Sequence, residues 1–142
     1  MVVDDNASFC EFVALVLKQS GMEVVAASDG ASALAAAFTR VPDLVVTDLE
    51  MPGTNGVEMI RTLRGDTRTA HVPIVALTGA STDVVQAARD AGCNQVVTKP
   101  CSPWRLLQTV NRYVGRRKED RTGDRLHQNL ATPDRRNYSR RN

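Results

Sequence analysis

Short apolar runs alternate with segments of helical periodicity along the first 115 residues, and this alternation constrains the fold more than any other feature. Three of the runs are Leu44–Val46, Val72–Leu77 and Gln95–Thr98, which are short and rich in β-branched residues, as in strands that are buried on both faces. Met22–Ala27 is a further strand candidate. The segments between the runs carry apolar residues at helical spacing, with Phe9 in the apolar stripe of the first, and end at glycines such as Gly21, Gly92 and Gly115. Ser102 and Pro103 predict the start of the last helix. Strand-helix alternation of this kind predicts an α/β, doubly wound fold in which helices cover both faces of a parallel sheet.

Five polar residues stand where the predicted strands end. Asp4 and Asp5 follow the first run, Asp48 follows the third, Thr78 follows the fourth and Lys99 follows the fifth. Because right-handed crossovers bring the carboxyl ends of parallel strands to one edge, we expect these side chains to lie together. Taken singly, each has a structural explanation as a turn residue, a helix cap or a surface charge. We prefer a functional site because all five fall at strand ends.

Three carboxylates at one edge repel one another unless a cation intervenes, and they provide the hard oxygen ligands that Mg²⁺ accepts. A lysine ammonium and a threonine hydroxyl beside them can bind the oxygens of a phosphoryl group while a carboxylate attacks the phosphorus. The residue types therefore indicate a site for a phosphoryl group together with Mg²⁺.

On these residues the chain resembles the receiver domain of two-component response regulators over residues 1–115. Four pieces carry the resemblance, in order: Val2–Asn6, Leu44–Gly53 with Gly56, Ile74–Gly79 and Val97–Pro100. The resemblance implies a (βα)5 flavodoxin-like sandwich whose parallel strands have the order 2-1-3-4-5. Both acidic clusters would then flank the point at which the strand order reverses.

The resemblance also implies a role for each site residue. Asp48 would be the phospho-acceptor that forms an aspartyl phosphate, and Thr78 and Lys99 would contact the phosphoryl oxygens. The implied ligands of Mg²⁺ are Asp5, Asp4 through water, Asp48 and the main-chain carbonyl of Glu50. The implied donor is a phosphohistidine on a sensor histidine kinase or a histidine phosphotransfer protein. Phosphorylation would alter partner binding, and the domain would catalyse only its own phosphorylation and dephosphorylation, so that it is not otherwise an enzyme.

Three positions depart from the family pattern. Met1 stands only three residues before Asp4, so the first strand is truncated relative to the family and we expect reduced stability. The position three residues before Lys99 is commonly aromatic but is Val96 here, and Cys101 stands where the family often has phenylalanine. We expect the last two differences to weaken switching.

The charge divides the chain into two parts. Residues 1–115 have nine basic and twelve acidic residues, whereas residues 116–142 have nine basic and four acidic ones. We predict a receiver domain over residues 1–115 and a disordered basic tail over residues 116–142, with at most a weak helix around Arg125–Leu130. We do not expect the tail to bind nucleic acid, because a solvated face explains its arginines as well.

Two alternative functions are weighed against the receiver. A haloacid-dehalogenase-like phosphatase also uses an aspartate after a buried strand, but it requires a second aspartate two residues later, where Glu50 stands. The other alternative is that the chain is a truncated fragment of a larger response regulator or hybrid kinase.

The cysteines and the apolar runs bear on location. Cys10, Cys93 and Cys101 are odd in number and lack CxxC spacing, which favours free thiols in a reducing cytoplasm. Apolar runs such as Val13–Leu17 are too short to cross a membrane, and no basic start followed by an apolar segment predicts a secretory signal. We therefore expect a cytoplasmic location and no membrane partner.

Overall fold

The structure is a computed structural model that describes residues 1–128 of the 142-residue chain, with side chains described through residue 115. Strands and helices alternate along these residues. The strands are β1 (Val2–Val3), β2 (Ala26–Ala27), β3 (Val45–Thr47), β4 (Ile74–Thr78) and β5 (Gln95–Thr98). The helices are α1 (Ala7–Gln19), α2 (Gly30–Thr39), α3 (Gly56–Gly65), α4 (Thr82–Asp90) and α5 (Pro103–Gln128).

The strands form one parallel sheet in the order β2-β1-β3-β4-β5, which confirms the predicted doubly wound fold. β1 lies inside the sheet, where Val2 pairs with Ala26 on one side and with Val46 on the other. Because the strands are parallel, their carboxyl ends meet at one edge. Asp4 and Asp48 stand there as the residues that directly follow β1 and β3.

Successive strand residues point to opposite faces of the sheet and build two hydrophobic clusters. In β4, Ile74 and Ala76 join the cluster formed with α2, α3 and α4, whereas Val75 and Leu77 join the cluster formed with α1 and α5. Each of the four is at most 2% exposed. The unbroken apolar run of β4 therefore reflects burial on both faces, and each of its large side chains contributes about 1.5–3 kcal/mol.

Local signals set the helix starts. Asn6, Asp29 and Asn55 cap α1, α2 and α3, and each side-chain oxygen accepts a hydrogen bond of 2.8–3.0 Å from the main-chain N–H three residues later. Ser102 and Pro103 begin α5 as the sequence predicts, with proline in the first helical position. These caps fix where each loop at the acidic edge ends.

Two element boundaries differ from the sequence prediction. The second strand is Ala26–Ala27 rather than Met22–Ala27, because its ladder extends only as far as its pairing with Val2 and Val3. The fifth helix continues through Gly115 to Gln128, so the predicted helix end at Gly115 is wrong.

The physical reason for the longer helix lies in the conformation of its glycine. Gly21 and Gly92, which do end helices, have φ of +80° and +106°, in the left-handed region that glycine favours. Gly115 has no such positive φ, and it continues the helix at the usual cost of about 1 kcal/mol relative to alanine. Residues 116–128 of the predicted tail are thus helical, while its remainder, residues 129–142, lies outside the described residues.

A cavity of about 350 Å³ lies at the opposite end of the sheet from the acidic edge, beside Met1. Its walls come from the segments that precede β2 and β3 and from the inner faces of α1 and α5.

The expectation that the short first strand reduces stability stays a prediction. None of the helices in the described part of the chain has both the length and the apolarity needed to cross a membrane.

Arg64, near the end of α3, joins two loops at the same far end, the α3–β4 loop and the α4–β5 loop. Its guanidinium donates to the main-chain oxygens of Gly92 at 3.0 Å, Ala70 at 3.1 Å and Val72 at 2.7 Å, and to the Asn94 side chain at 2.8 Å. Burial lowers the pKa of the Arg64 guanidinium. One side chain thereby ties α3 to the beginnings of β4 and β5.

Candidate functional site

Asp48 lies directly after β3, and its two carboxylate oxygens have different partners. Oδ1 accepts hydrogen bonds from the Thr78 hydroxyl at 2.7 Å, from the Leu49 N–H at 2.6 Å and, more weakly, from the Glu50 N–H at 3.4 Å. Oδ2 accepts from Lys99 Nζ at 3.2 Å. The side chain is 12% exposed, so the carboxylate is oriented by neighbours yet remains accessible from solvent.

Lys99, which follows β5, extends back across the edge between two carboxylates. Its ammonium lies 2.7 Å from Asp4 Oδ2 and 3.2 Å from Asp48 Oδ2. Burial lowers the pKa of the Lys99 ammonium, but the hydrogen bond to Asp4 and the charge of Asp48 outweigh it, so the pKa is raised overall. The ammonium is therefore a fixed positive charge at the edge.

Asp4 and Asp5 differ in burial although they are adjacent. Asp4 is 3% exposed, and its Oδ1 accepts the Asn6 N–H at 2.9 Å while its Oδ2 binds Lys99. Asp5 is exposed. One oxygen from each of Asp4, Asp5 and Asp48 lies within 4.8 Å of the others.

This donor set fits Mg²⁺. The three clustered carboxylates outnumber the one ammonium that the described residues place at this edge, so negative charge is in excess and a divalent cation would offset it. The ligands are all hard oxygens, and the exposure of Asp5 leaves room for the water ligands that Mg²⁺ usually retains. Glu50 is exposed in the adjoining loop, and the role of its main-chain carbonyl as a ligand stays a prediction.

Thr78 completes the group from the end of β4. It is 2% exposed, and its hydroxyl donates to Asp48 Oδ1 while it accepts the Ala80 N–H at 3.1 Å. The structure thus brings together all five side chains that the sequence placed at one edge. Their strand-end positions predicted this convergence, and the parallel sheet produces it.

The loop after Asp48 is held by two glycines. Gly53 has φ of +75°, which only glycine adopts readily. Gly56 packs so closely that a Cβ there would overlap the Asp48 main-chain oxygen and lie 2.7 Å from Leu49 Cα. The Gly56 N–H donates to the Leu49 oxygen at 3.0 Å. This close approach sets how the loop leaves Asp48.

Phe9 belongs to the site although the sequence placed it only in the apolar stripe of the first helix. Its ring centroid lies 4.1 Å from Lys99 Nζ. Its position in the sequence could have indicated this role, because Phe9 lies on the first turn of α1, four residues after Asp5, where a side chain can reach the acidic edge.

Fold and site together define a class of protein, a parallel-sheet domain with a triad of aspartates, a threonine and a lysine at one edge. The chain belongs to the response regulator receiver domain family, whose model matches residues 1–111. This membership confirms the resemblance seen in the sequence. Membership of this family also favours the receiver-domain interpretation over the alternative of a haloacid-dehalogenase-like phosphatase.

Three comparisons illustrate the family. The chain is 39% identical over 128 residues to the DNA-binding response regulator MtrA of Mycolicibacterium smegmatis. The aligned region covers 89% of this chain and 54% of MtrA. The chain thus spans about half the length of this curated relative. It is 33% identical to the chemotaxis response regulator CheY4 of Vibrio cholerae, with a TM-score of 0.74 over 79% of this chain and 94% of CheY4.

The third comparison is with the receiver domain of the sensor histidine kinase PA1611 from Pseudomonas aeruginosa PAO1. That structure contains a magnesium ion coordinated in its active-site cleft. It is 27% identical to this chain, with a TM-score of 0.75 over 80% of this chain and 94% of that domain.

Proposed function

We propose that this receiver domain accepts a phosphoryl group on Asp48 from a phosphohistidine of a sensor histidine kinase or a histidine phosphotransfer protein. The observation that carries the proposal is the set of contacts around one carboxylate. Asp48 is the only member of the acidic triad in the described residues that contacts both the Thr78 hydroxyl and the Lys99 ammonium. Donors arranged around an acceptor in this way suit phosphoryl transfer, which depends mainly on positioning and charge stabilisation.

The proposed step is an in-line transfer. An oxygen of the Asp48 carboxylate forms a bond to phosphorus while the bond from phosphorus to the donor imidazole nitrogen breaks, and the electron pair of that bond leaves with the imidazole. The product is a mixed anhydride, the aspartyl phosphate. Lys99 donates to one phosphoryl oxygen and Thr78 to another, so that each compensates negative charge in the transferred group.

Mg²⁺ is the metal that the site residues support best. Asp5 would bind it directly, Asp4 through a water and Asp48 by one oxygen, with the Glu50 main-chain carbonyl as a further ligand. The already paired oxygens of Asp4 support its indirect role. When bound, the ion supplies positive charge beside the phosphoryl oxygens. The magnesium in the PA1611 receiver domain supports this assignment by similarity.

We propose no turnover of other substrates, so the domain acts as a signalling element whose phosphorylation alters the binding of a downstream protein. The expectation that residues 116–142 bind no nucleic acid, and the expected cytoplasmic location, stay predictions from the sequence. The alternative that the chain is a truncated fragment of a larger response regulator or hybrid kinase also stays a prediction, and it is compatible with the greater length of MtrA.

Intact-mass measurement tests the proposal directly. The protein is incubated with acetyl phosphate, with and without Mg²⁺, and we expect the mass of one phosphoryl group to be gained only with the metal. Asp48→Asn removes the nucleophile and abolishes the adduct, whereas Asp90→Asn, on the exposed face of α4, is the matched control and retains it. A folded wild-type protein without an adduct, or an adduct in Asp48→Asn, contradicts the assignment.

A further inference from the structure

Phe9 lies on the first turn of α1, where a chain of contacts links it to the acidic edge. Asp4 Oδ1 accepts the Asn6 N–H, and the Asn6 side chain caps the helix by accepting the Phe9 N–H at 3.0 Å. The Phe9 ring also packs against Phe12, with 6.1 Å between ring centroids and an angle of 45°. The helix cap therefore places the Phe9 main chain, and the Phe12 ring packs beside the Phe9 ring.

The ring faces the Lys99 ammonium. Two sides of this ammonium face carboxylate oxygens, those of Asp4 and Asp48, and its nitrogen lies 4.1 Å from the Phe9 centroid. An ammonium has three N–H donors, so two carboxylates leave one direction open, and the aromatic face occupies space beside it. A cation is attracted electrostatically to the ring face.

We propose that Phe9 is a positioning residue for Lys99, whose ring holds the ammonium where it contacts Asp48 and would meet an incoming phosphoryl oxygen. This inference rests on the proposed function of Asp48 and adds to it a residue that never touches the phosphoryl group. The chemistry is a cation–π contact within a triangle of two carboxylates and one aromatic ring.

The need for such a residue follows from the unequal distances at Lys99. Its contact with Asp4, at 2.7 Å, is shorter than its contact with Asp48, at 3.2 Å, so Asp4 competes for the same charge. A lysine has a flexible four-carbon stem, and its ammonium is strongly hydrated. Without the ring, the ammonium is free to move toward Asp4 and water, away from the acceptor. Because phosphoryl transfer depends on charge positioning, this displacement slows the transfer.

Substitution at two neighbouring phenylalanines separates positioning from packing. Phe9→Leu removes the ring that faces Lys99. Phe12→Leu removes a neighbouring ring that packs against Phe9, while the cation–π contact of Lys99 in the described residues is with Phe9. Phe9→Tyr keeps an aromatic face and should restore function. Phe9→Met also removes the ring but has a differently shaped side chain. If either Phe9→Leu or Phe9→Met fails to fold, the other variant still tests the proposal.

Two readouts are measured on each variant. The first is the rate of phosphorylation by acetyl phosphate with Mg²⁺, which we expect to fall by about three- to tenfold in Phe9→Leu and Phe9→Met, the range that a partly desolvated cation–π contact supplies. The second, without metal or phosphodonor, is the NMR shift of the Lys99 ε-methylene protons. The ring current should move these protons upfield in the wild type and in Phe9→Tyr, and this displacement should vanish in Phe9→Leu.

The outcomes distinguish this inference from the proposed function. Failure of the wild type to gain phosphate overturns the role of Asp48, whereas the proton shifts still decide whether the ring holds Lys99. A Phe9→Leu variant with wild-type rate and unchanged Lys99 shifts overturns the inference. Equal slowing of Phe9→Leu and Phe12→Leu also overturns it, because it shows a role in packing alone.

Discussion

Replacing Gly56 by alanine tests whether the backbone approach behind the acceptor controls the site. Gly56 is the first residue of α3, and a Cβ there would lie 2.7 Å from Leu49 Cα and closer still to the Asp48 main-chain oxygen. Both neighbours are main-chain atoms, so no side-chain rotation relieves the overlap. Restoring an ordinary carbon contact of about 3.5 Å requires the loop and the helix start to separate by about 0.8 Å.

The separation acts on Asp48 itself. The Asp48 main-chain oxygen accepts the Thr47 hydroxyl at 2.7 Å, and its carboxylate contacts Thr78 at 2.7 Å. A displacement of about 1 Å at a reacting group can cost about a hundredfold in rate. We therefore expect Gly56→Ala to slow phosphorylation by acetyl phosphate by about a hundredfold and to lower the free energy of unfolding by about 1–3 kcal/mol.

Gly65 provides the control at the other end of the same helix. A Cβ at Gly65 would meet nothing within 4 Å, and its φ is not positive. Gly65→Ala should leave the phosphorylation rate unchanged and raise the free energy of unfolding by up to about 1 kcal/mol. Rates are measured by intact mass over time and stabilities by urea denaturation. Equal rates for Gly56→Ala and Gly65→Ala would refute the argument from close approach.

Three further predictions concern metal, stability and switching. Asp5→Ala should weaken Mg²⁺ binding by about tenfold more than Asp4→Ala in calorimetric titration, because Asp5 is the proposed direct ligand and Asp4 is proposed to bind through water. Equal affinities would contradict this order. Arg64→Met should lower the free energy of unfolding by about 2–3 kcal/mol, because it removes two partly buried hydrogen bonds. Arg61→Met, at an exposed position on the same helix, should lower it little. Comparable losses for the two variants in urea denaturation would contradict the stabilising role of Arg64. Because Val96 is not aromatic, beryllofluoride with Mg²⁺ should shift the amide resonances of the loops at the acidic edge more than those of α4 and α5; equally large shifts would show switching without the aromatic ring.

The sequence was sufficient for the fold and for the members of the acidic edge. Strands buried on both faces, such as β4, have unbroken apolar runs, and parallel order brings their ends together regardless of the details of packing. Asp48, Thr78 and Lys99 could therefore be grouped before any distance was known. Their individual contacts depend on side-chain orientation, which periodicity does not encode.

Features that arise from distant contacts could not be predicted in the same way. Arg64 stands in an ordinary helical pattern, and its four acceptors come from loops up to thirty residues away along the chain. Phe9 has the spacing of a core residue, and its contact with Lys99 joins the first turn of α1 to the residue that follows β5. The passage of α5 through Gly115 depends on a backbone angle, because the same residue type ends a helix at Gly92.

The position of Thr78 limits how large the response to phosphorylation can be. Its hydroxyl already donates to Asp48 and accepts the Ala80 N–H before any phosphoryl group is present. After phosphorylation, the Thr78 hydroxyl would donate to a phosphoryl oxygen instead of to the Asp48 carboxylate, and both acceptors are negatively charged. Phosphorylation shifts the equilibrium between the inactive and active conformations only by as much as it interacts differently with the two. Val96, half-buried against the cluster with α4, has one stiff rotatable bond and little volume to move. We therefore expect the added charge and the altered loops at the acidic edge to carry the signal, rather than a large rearrangement of α4 and α5.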